Sequence, residues 1–142
     1  MTERRGPSNA RAALAWFVIL LLAIANGMLR EGVLVPWFGV VAGTATSGGL
    51  LAALILVVAW VMQRRQRIAP AARAWRIGAA WLAATLVFEF GFGIARGVSW
   101  ETMLAPYTFT NGNLRPLVLL VVLAAPFATS RAARGSRDAA PL

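Results

Sequence analysis

Long blocks of apolar residues, separated by short polar stretches, dominate this 142-residue sequence. A helix needs about 20 predominantly apolar residues to cross the hydrocarbon core of a bilayer. Four blocks approach that length and predict transmembrane helices at about residues 12–29, 40–62, 77–95 and 114–129. We therefore expect an all-α, polytopic membrane protein whose four helices form a small bundle and a single membrane domain.

The last connection, residues 97–113, is the longest and carries scattered aromatic side chains, among them Trp100 and Tyr107. Aromatic residues with a polar group favour the headgroup level of a membrane. We expect residues 99–105 to form a short external interfacial helix. Its first residue, a serine, is the predicted N-cap, and Glu101 lies near the positive end of the helix dipole.

The fourth predicted span has a start signal and a stop signal. Asn113 is expected to cap its start, and Pro116 stands in the first turn, where a missing N–H is harmless. Pro126, near the far end, is expected to kink the helix or end it.

Composition supports a membrane protein and argues against several classes of function. The chain is 59% hydrophobic and 13% charged, with a mean hydropathy of +0.68, whereas a soluble domain carries about 25% charged residues. A net charge of +9 would suggest nucleic-acid binding, but the arginines stand at the ends of apolar blocks, so we expect no nucleic-acid partner. His and Cys are absent, as are phosphate-binding, zinc-protease and nucleophile-elbow motifs. We therefore expect no cofactor, no metal site and no enzymatic activity.

The arginines are distributed unevenly between the two sides that four spans would create. Eleven flank the termini and the basic connection at residues 63–76, namely Arg4, Arg5, Arg11, Arg64, Arg65, Arg67, Arg73, Arg76, Arg131, Arg134 and Arg137. The other side holds Arg30, Arg96 and Arg115. Short arginine-rich loops stay in the cytoplasm, so both termini are predicted to be cytoplasmic.

The first block also fits a second interpretation. Basic residues, an apolar run and Ala23-Ile24-Ala25 together resemble a secretory signal with an A-x-A cleavage site. Cleavage there would leave three spans and a cytoplasmic C-terminus, which the arginine count also fits. The apolar stretch continues past this site to Leu29, which favours an uncleaved span.

Glu89 is an acidic residue inside the third predicted span. A charged side chain in hydrocarbon costs about 2.5–3.5 kcal/mol, so this carboxylate needs a partner, a proton or water. Arg96 lies two helical turns further along, and Asn26 and Arg30 lie at a similar depth in the first span. We expect these four residues to form one polar cluster below the outer surface.

This cluster admits two interpretations. In the structural one, Glu89 pairs with Arg30 or Arg96 and locks two helices together. In the functional one, the carboxylate binds a proton, a cation or a basic substrate group, as intramembrane acids often do. Two arginines within reach favour the structural interpretation.

Small residues recur at four-residue spacing near the ends of two spans. Gly39, Gly43 and Ser47 begin the second span, and Gly93 and Gly97 end the third. Because such spacing lets helix backbones approach closely, these residues predict helix-packing faces.

Three stretches resemble a group of small uncharacterised bacterial inner-membrane proteins: Asn26-Gly27-Met28-Leu29-Arg30-Glu31, Phe88-Glu89-Phe90 followed by Ser99-Trp100, and Asn111-Gly112-Asn113-Leu114-Arg115-Pro116. The resemblance extends over most of the chain. It implies a bacterial four-span protein and brings no known activity with it. The chain does not resemble the small multidrug-resistance exporters, whose functional acid lies in the first span, or the small fluoride channels.

These observations favour a non-enzymatic accessory or assembly protein of the bacterial inner membrane with a structural polar cluster. Four spans enclose little on their own, so we expect a homo-oligomer or a larger membrane complex within the lipid bilayer. The alternative is a small homo-oligomeric transporter or channel that uses Glu89 to bind a proton or a cation. A membrane enzyme acting on lipid is the least favoured class.

Overall fold

The computed structural model describes residues 8–65 and 69–139, and all the regular structure in these residues is helical. In chain order the helices are α1 (Asn9–Leu29), a π-helical turn (Arg30–Leu34), α2 (Val35–Phe38), α3 (Val40–Arg65), α4 (Ala71–Ala95), α5 (Trp100–Leu104), two 3₁₀ turns (Ala105–Thr108 and Thr110–Gly112) and α6 (Arg115–Asp138). Four helical stretches are long and apolar enough to span a membrane: Asn9–Phe38, Val40–Arg65, Ala71–Ala95 and Arg115–Asp138. The predicted fold class, an all-α four-helix bundle, is confirmed.

The first span is longer than predicted because the helix does not stop at Leu29. Pro36 has no N–H to donate, and its ring crowds the carbonyl four residues earlier. The chain accommodates it with the π turn, in which the N–H of Val35 bonds to the carbonyl of Arg30, five residues back. The helix ends at Gly39, whose φ of +87° is a conformation that favours glycine.

The basic connection is much shorter than the predicted 63–76, since only residues 66–70 separate α3 from α4. Gln63 is completely buried and organises this turn. Its Oε1 accepts from the N–H of Ala69 over 2.9 Å, and its Nε2 donates to the carbonyl of Pro126 over 3.1 Å. Hydropathy falls before the helices end because Arg64, Arg65, Arg73 and Arg76 lower it while remaining helical.

Two predictions about the fourth span are corrected. Pro126 does not end α6, which continues to Asp138; the proline is fully buried, and its packing outweighs the lost backbone hydrogen bond. The N-cap of α6 is Leu114 rather than Asn113. Asn113 instead donates through Nδ2 to the carbonyl of Thr110 over 3.0 Å, which closes the preceding turn.

The two ends of the bundle differ in charge. We call one the arginine-rich end; it carries Arg11, Arg64, Arg65, Arg73, Arg76, Arg131, Arg134 and Arg137. We call the opposite end, which carries α5, the loop end. Arg4, Arg5 and Arg67, which also entered the sequence-based charge count, lie outside the described residues.

α6 packs against both α3 and α4, and α1 packs mainly against α3. The buried core lies towards the arginine-rich end and includes Ala59 and Met62 of α3, Ile77 and Trp81 of α4, and Ala125 of α6. The contact between α1 and α4 is much less extensive than those of α3 with α6, α4 with α6 and α1 with α3. The bundle is therefore closed at the arginine-rich end and less closely packed at the loop end.

Candidate functional site

A cavity of about 710 Å³ lies in the half of the bundle nearer the loop end. Residues of α1, α3, α4 and α6 line it, and α5 with the following 3₁₀ turn covers one side. Near the arginine-rich end, α1 and α4 are held together by two indole hydrogen bonds. Trp81 Nε1 donates to the carbonyl of Ala12 over 2.9 Å, and Trp16 Nε1 donates to Thr85 Oγ1 over 3.1 Å. Beyond these contacts the two helices line the cavity instead of packing together.

The cavity has an apolar half and a polar half. The apolar half is lined by Ile19, Leu51, Ile55, Val118, Leu119 and Val122. The polar half, nearer the loop end, is lined by Asn26, Arg30, Glu31, Glu89, Arg96, Tyr107 and Arg115. An apolar pocket with a few convergent polar groups is the usual form of a ligand site.

Glu89 has one partner for each carboxylate oxygen. Arg115, at the start of α6, donates to Oε1 and forms an ion pair with it. Tyr107, in the 3₁₀ turn after α5, donates its hydroxyl to Oε2 over 2.7 Å. The side chains of Glu89 and Arg115 are 25% and 33% exposed, so water screens their attraction only in part. The three side chains connect α4, α6 and the 3₁₀ turn Ala105–Thr108.

The predicted pairing of Glu89 with Arg30 or Arg96 is wrong. Arg30 Nη2 lies 3.1 Å from Oε1 of Glu31, its neighbour in sequence. The guanidinium of Arg96 lies over the ring of Phe92, 5.4 Å from its centroid. Both arginines nevertheless line the same cavity as Glu89.

Helix geometry explains the actual partner. Arg96 caps the C-terminus of α4, about 10 Å along the axis from Glu89 at 1.5 Å per residue. Arg115 begins α6, the helix that packs directly against α4. The sequence placed Arg115 at the same end of the bundle as Arg30 and Arg96, but hydropathy gives position along a helix and not the order of helices around a bundle. Knowledge that α4 neighbours α6 would have been needed to identify the pair.

Asn26 belongs to a separate contact, between α1 and α3. It is only 6% exposed, and its Nδ2 donates to the carbonyl oxygen and to Oγ of Ser47, over 3.1 Å and 2.8 Å. Its Oδ1 is buried and has no hydrogen-bond partner among the described residues. The four residues of the predicted cluster therefore share one cavity but do not form one hydrogen-bonded network.

The predicted interfacial helix corresponds to α5. Ser99 is its N-cap and accepts from the N–H of Thr102 over 3.3 Å. Glu101 lies in the first turn, where the helix dipole favours a negative charge. Trp100 is 61% exposed, and its location at the headgroup level stays a prediction.

Tyr107 differs from the interfacial aromatic residue that the sequence predicts, because it points into the bundle. Its ring stacks on Phe90 with 5.9 Å between centroids. The turn that follows places Phe109 and Asn111 in the left-handed region, at φ +56° and +54°, which is uncommon for a phenylalanine. Burial and then the hydrogen bond to Glu89 raise the pKa of Tyr107, so its hydroxyl remains protonated at neutral pH.

Three of the five predicted packing residues lie at close contacts. A Cβ at Gly43 would come within 2.7 Å of the backbone of Leu34, so α3 passes directly against the π turn. A Cβ at Gly93 would collide with the side chain of Met103 in α5. Ser47 is buried and bonds to α1.

The other two predicted packing residues have a different role. Gly39 and Gly97 have φ of +87° and +71°, and a Cβ at either would meet nothing within 4 Å. They terminate helices and do not mediate packing. The closest contact at a described glycine was missed: a Cβ at Gly78 would collide with the carbonyl oxygen of Leu123 in α6. Ala74 lies four residues before Gly78, so the same small-residue spacing was present in the sequence and was overlooked.

Comparison with known protein families, with curated proteins and with solved structures finds no match. The class of the molecule follows from its fold: an all-α bundle of four helices long and apolar enough to span a membrane. Its candidate site is defined by geometry, as a partly apolar cavity beside an ion-paired carboxylate and an unsatisfied amide oxygen.

Proposed function

We propose that this chain is a multi-pass protein of a bacterial inner membrane with both termini in the cytoplasm. Its four long apolar helices support a membrane location. Eight of the described arginines lie at the arginine-rich end and three towards the loop end, which supports this orientation under the positive-inside rule. The bacterial origin rests on the sequence resemblance.

Within that membrane the protein acts as a non-enzymatic accessory or assembly protein, alone in oligomers or in a larger complex. The observation that carries this proposal is the state of the Glu89 carboxylate. Arg115 neutralises it and Tyr107 occupies its second oxygen. A carboxylate held in this way stabilises the junction between two helices and a loop, and it would have to break an ion pair to bind a cation.

The proposal is tested by Glu89→Gln, which leaves Arg115 without its counter-ion. We expect the melting temperature in detergent to fall, with a loss of about 1–3 kcal/mol in the free energy of unfolding. This range lies between about 0–1 kcal/mol for exposed pairs and about 3–5 kcal/mol for broken buried pairs. Proton and cation flux in liposomes should stay at background for wild type and variant.

Glu31→Gln is the matched control. Glu31 also pairs with an arginine at the cavity, Arg30, but its side chain is 72% exposed, so the same isosteric change should leave the melting temperature nearly unaltered. A Glu89→Gln protein as stable as this control would contradict the structural role of the pair.

A second candidate function is a small homo-oligomeric transporter or channel in which Glu89 binds a proton or a cation. The observation that favours it is that Glu89 lines an accessible cavity. The same liposome assay separates the two candidates. Flux that exceeds empty liposomes in wild type, and disappears in a folded Glu89→Gln protein, would replace the accessory role with transport.

A further inference from the structure

We infer that the cavity binds one anionic phospholipid whose headgroup also carries a hydroxyl group, with the headgroup at Arg96 and an acyl chain in the apolar half. This site is additional to the accessory role proposed above. It does not depend on whether the Glu89 pair is structural, because it uses the cavity residues that the pair leaves free.

The size of the cavity fits the headgroup and one acyl chain of a lipid in one leaflet. Its volume of about 710 Å³ falls within the range of about 300–1,000 Å³ for small-molecule sites. Along α4 the lining extends from Thr85 to Arg96, a rise of about 16 Å at 1.5 Å per residue. This is about half of the 30 Å hydrocarbon core. A lipid with its headgroup at the loop end would therefore place its chain along the apolar lining.

The charges at the polar half favour an anion. Arg30 pairs with Glu31, and Arg115 pairs with Glu89. Arg96 lines the same space, and within residues 8–65 and 69–139 no carboxylate lies at ion-pair distance from it. Its guanidinium lies over a phenyl ring, which leaves its N–H groups available. One arginine in excess, with N–H groups in a planar fork, suits a phosphate group.

Asn26 adds a requirement for a hydrogen-bond donor on the ligand. The backbone carbonyl of Ser47 can only accept, so the amide must present Nδ2 to it, as observed. This orientation leaves the buried Oδ1 without a hydrogen-bond partner among the described residues, in a residue that lines the cavity. A buried acceptor of this kind is stabilised when a ligand donates to it. A hydroxyl on a glycerol-type headgroup supplies that donor, whereas a quaternary ammonium headgroup does not.

The helix arrangement leaves room for a lipid to enter from the bilayer. α1 and α4 are joined by hydrogen bonds near the arginine-rich end, at Trp81 and Trp16. Nearer the loop end, a Cβ at Gly27 would meet nothing within 4 Å, and Ala23, one turn earlier, also lines the cavity. The space between the two helices is therefore lined by small residues where the chain of a lipid would pass.

Native mass spectrometry of the full chain in mild detergent tests the site, with phosphatidylglycerol and phosphatidylcholine as probes at equal concentration. We expect one retained phosphatidylglycerol per chain. We expect a preference of about tenfold over phosphatidylcholine, the effect of one charge-assisted contact. Glycerol phosphate, which has the headgroup but no acyl chain, should not compete, because the apolar half would remain empty.

Two substitutions with matched controls locate the binding. Gly27→Leu fills the cavity and should abolish retention. Gly91→Leu adds the same side chain to α4 where a Cβ also meets nothing within 4 Å, outside the cavity lining, and should bind normally. Arg96→Gln should remove the preference for phosphatidylglycerol. Arg131→Gln is its control, since Arg131 lies over the ring of Phe127 at the arginine-rich end.

Three results would overturn the inference. They are equal retention of both lipids by wild type, full retention by Gly27→Leu, and equal loss in Arg96→Gln and Arg131→Gln, which would indicate general surface attraction. Monodispersity and helical content are measured for every variant. If Gly27→Leu does not fold, Ala23→Leu fills the same space and is subject to the same criterion.

Discussion

Asn26 and Glu89 illustrate two outcomes for a polar side chain placed in apolar surroundings. Both oxygens of Glu89 have a donor, Arg115 for one and Tyr107 for the other. Asn26 has its amide N–H groups satisfied by Ser47 and its oxygen unsatisfied. A satisfied group contributes to rigidity, while an unsatisfied one lining a cavity identifies a position for a ligand atom.

Tyr107 provides a spectroscopic test of the Glu89 contact, because it is the only tyrosine in the sequence. Removing its proton would place a phenolate beside a carboxylate, so we expect phenolate absorbance to develop above the ordinary pKa of about 10. Glu89→Gln should shift this titration to lower pH, although burial keeps the pKa of Tyr107 raised in part. Absorbance titration of both proteins measures the shift.

The raised pKa of Tyr107 also makes the stability of the fold depend on pH. Because the folded state holds the Tyr107 proton more tightly than the unfolded state, this group contributes stability that is complete below about pH 10 and falls as pH rises towards the folded pKa. Identical titration curves for wild type and Glu89→Gln would show that the hydroxyl does not bond to the carboxylate in solution.

That Glu89 has a charged partner was predictable from the sequence, since an acid within an apolar block needs one. Its partner was not predictable. Position along a helix gives the depth of a side chain, and Arg30, Arg96 and Arg115 all lie towards the same end. Choosing among them requires the order of helices around the bundle, which depends on close contacts such as that at Gly78 and not on local sequence.

At the level of helices, the contact between α4 and α6 depends on Gly78. A side chain there would collide with the carbonyl oxygen of Leu123, so the two backbones approach as closely as glycine permits. The same helix carries Gly91, where a Cβ would meet nothing within 4 Å. The two positions have the same residue in the same secondary structure and differ in packing.

Alanine substitution at these two glycines should have opposite effects. Gly78→Ala overpacks the interface and should lower the free energy of unfolding by about 1–3 kcal/mol. Gly91→Ala should raise it by about 0.5–1 kcal/mol, because alanine loses less backbone entropy in a helix. Thermal or denaturant unfolding in detergent measures both. Equal effects of the same sign would contradict the close approach of α4 and α6.

Helix ends were the least predictable feature of the elements. Hydropathy placed the start of the third span at about residue 77, whereas α4 begins at Ala71. Arginines lower hydropathy without breaking a helix, and Gln63 closes the turn by hydrogen bonds to residues distant from it. The Ser99 N-cap was predictable because its hydrogen bond is local.

At the scale of the whole molecule, the end of the bundle that carries most of the arginines is also the end that is packed most closely. The arginine-rich end holds the buried core and the contacts between α1 and α4. The loop end holds the cavity. In the proposed orientation the closed end faces the cytoplasm and the cavity lies in the outer leaflet.

The orientation is testable with single cysteines, because the chain has none of its own. Ala105→Cys lies in the exposed loop segment and Ala139→Cys follows α6, also exposed. We expect a membrane-impermeant maleimide to label Ala105→Cys in intact cells and Ala139→Cys only after permeabilisation, because arginine-rich segments remain cytoplasmic. The reverse labelling pattern would contradict the predicted topology.

The open space beside Gly27 also has a consequence for related sequences. Gly27 lines the cavity, and a Cβ there would meet nothing within 4 Å. We therefore expect that natural variation to a larger side chain can fill the cavity while the fold persists. A branched or aromatic residue aligned with Gly27 would identify a chain that has lost lipid binding, and a glycine or alanine would identify one that retains it. The residue at this single position therefore indicates whether a related chain with the same fold still binds lipid.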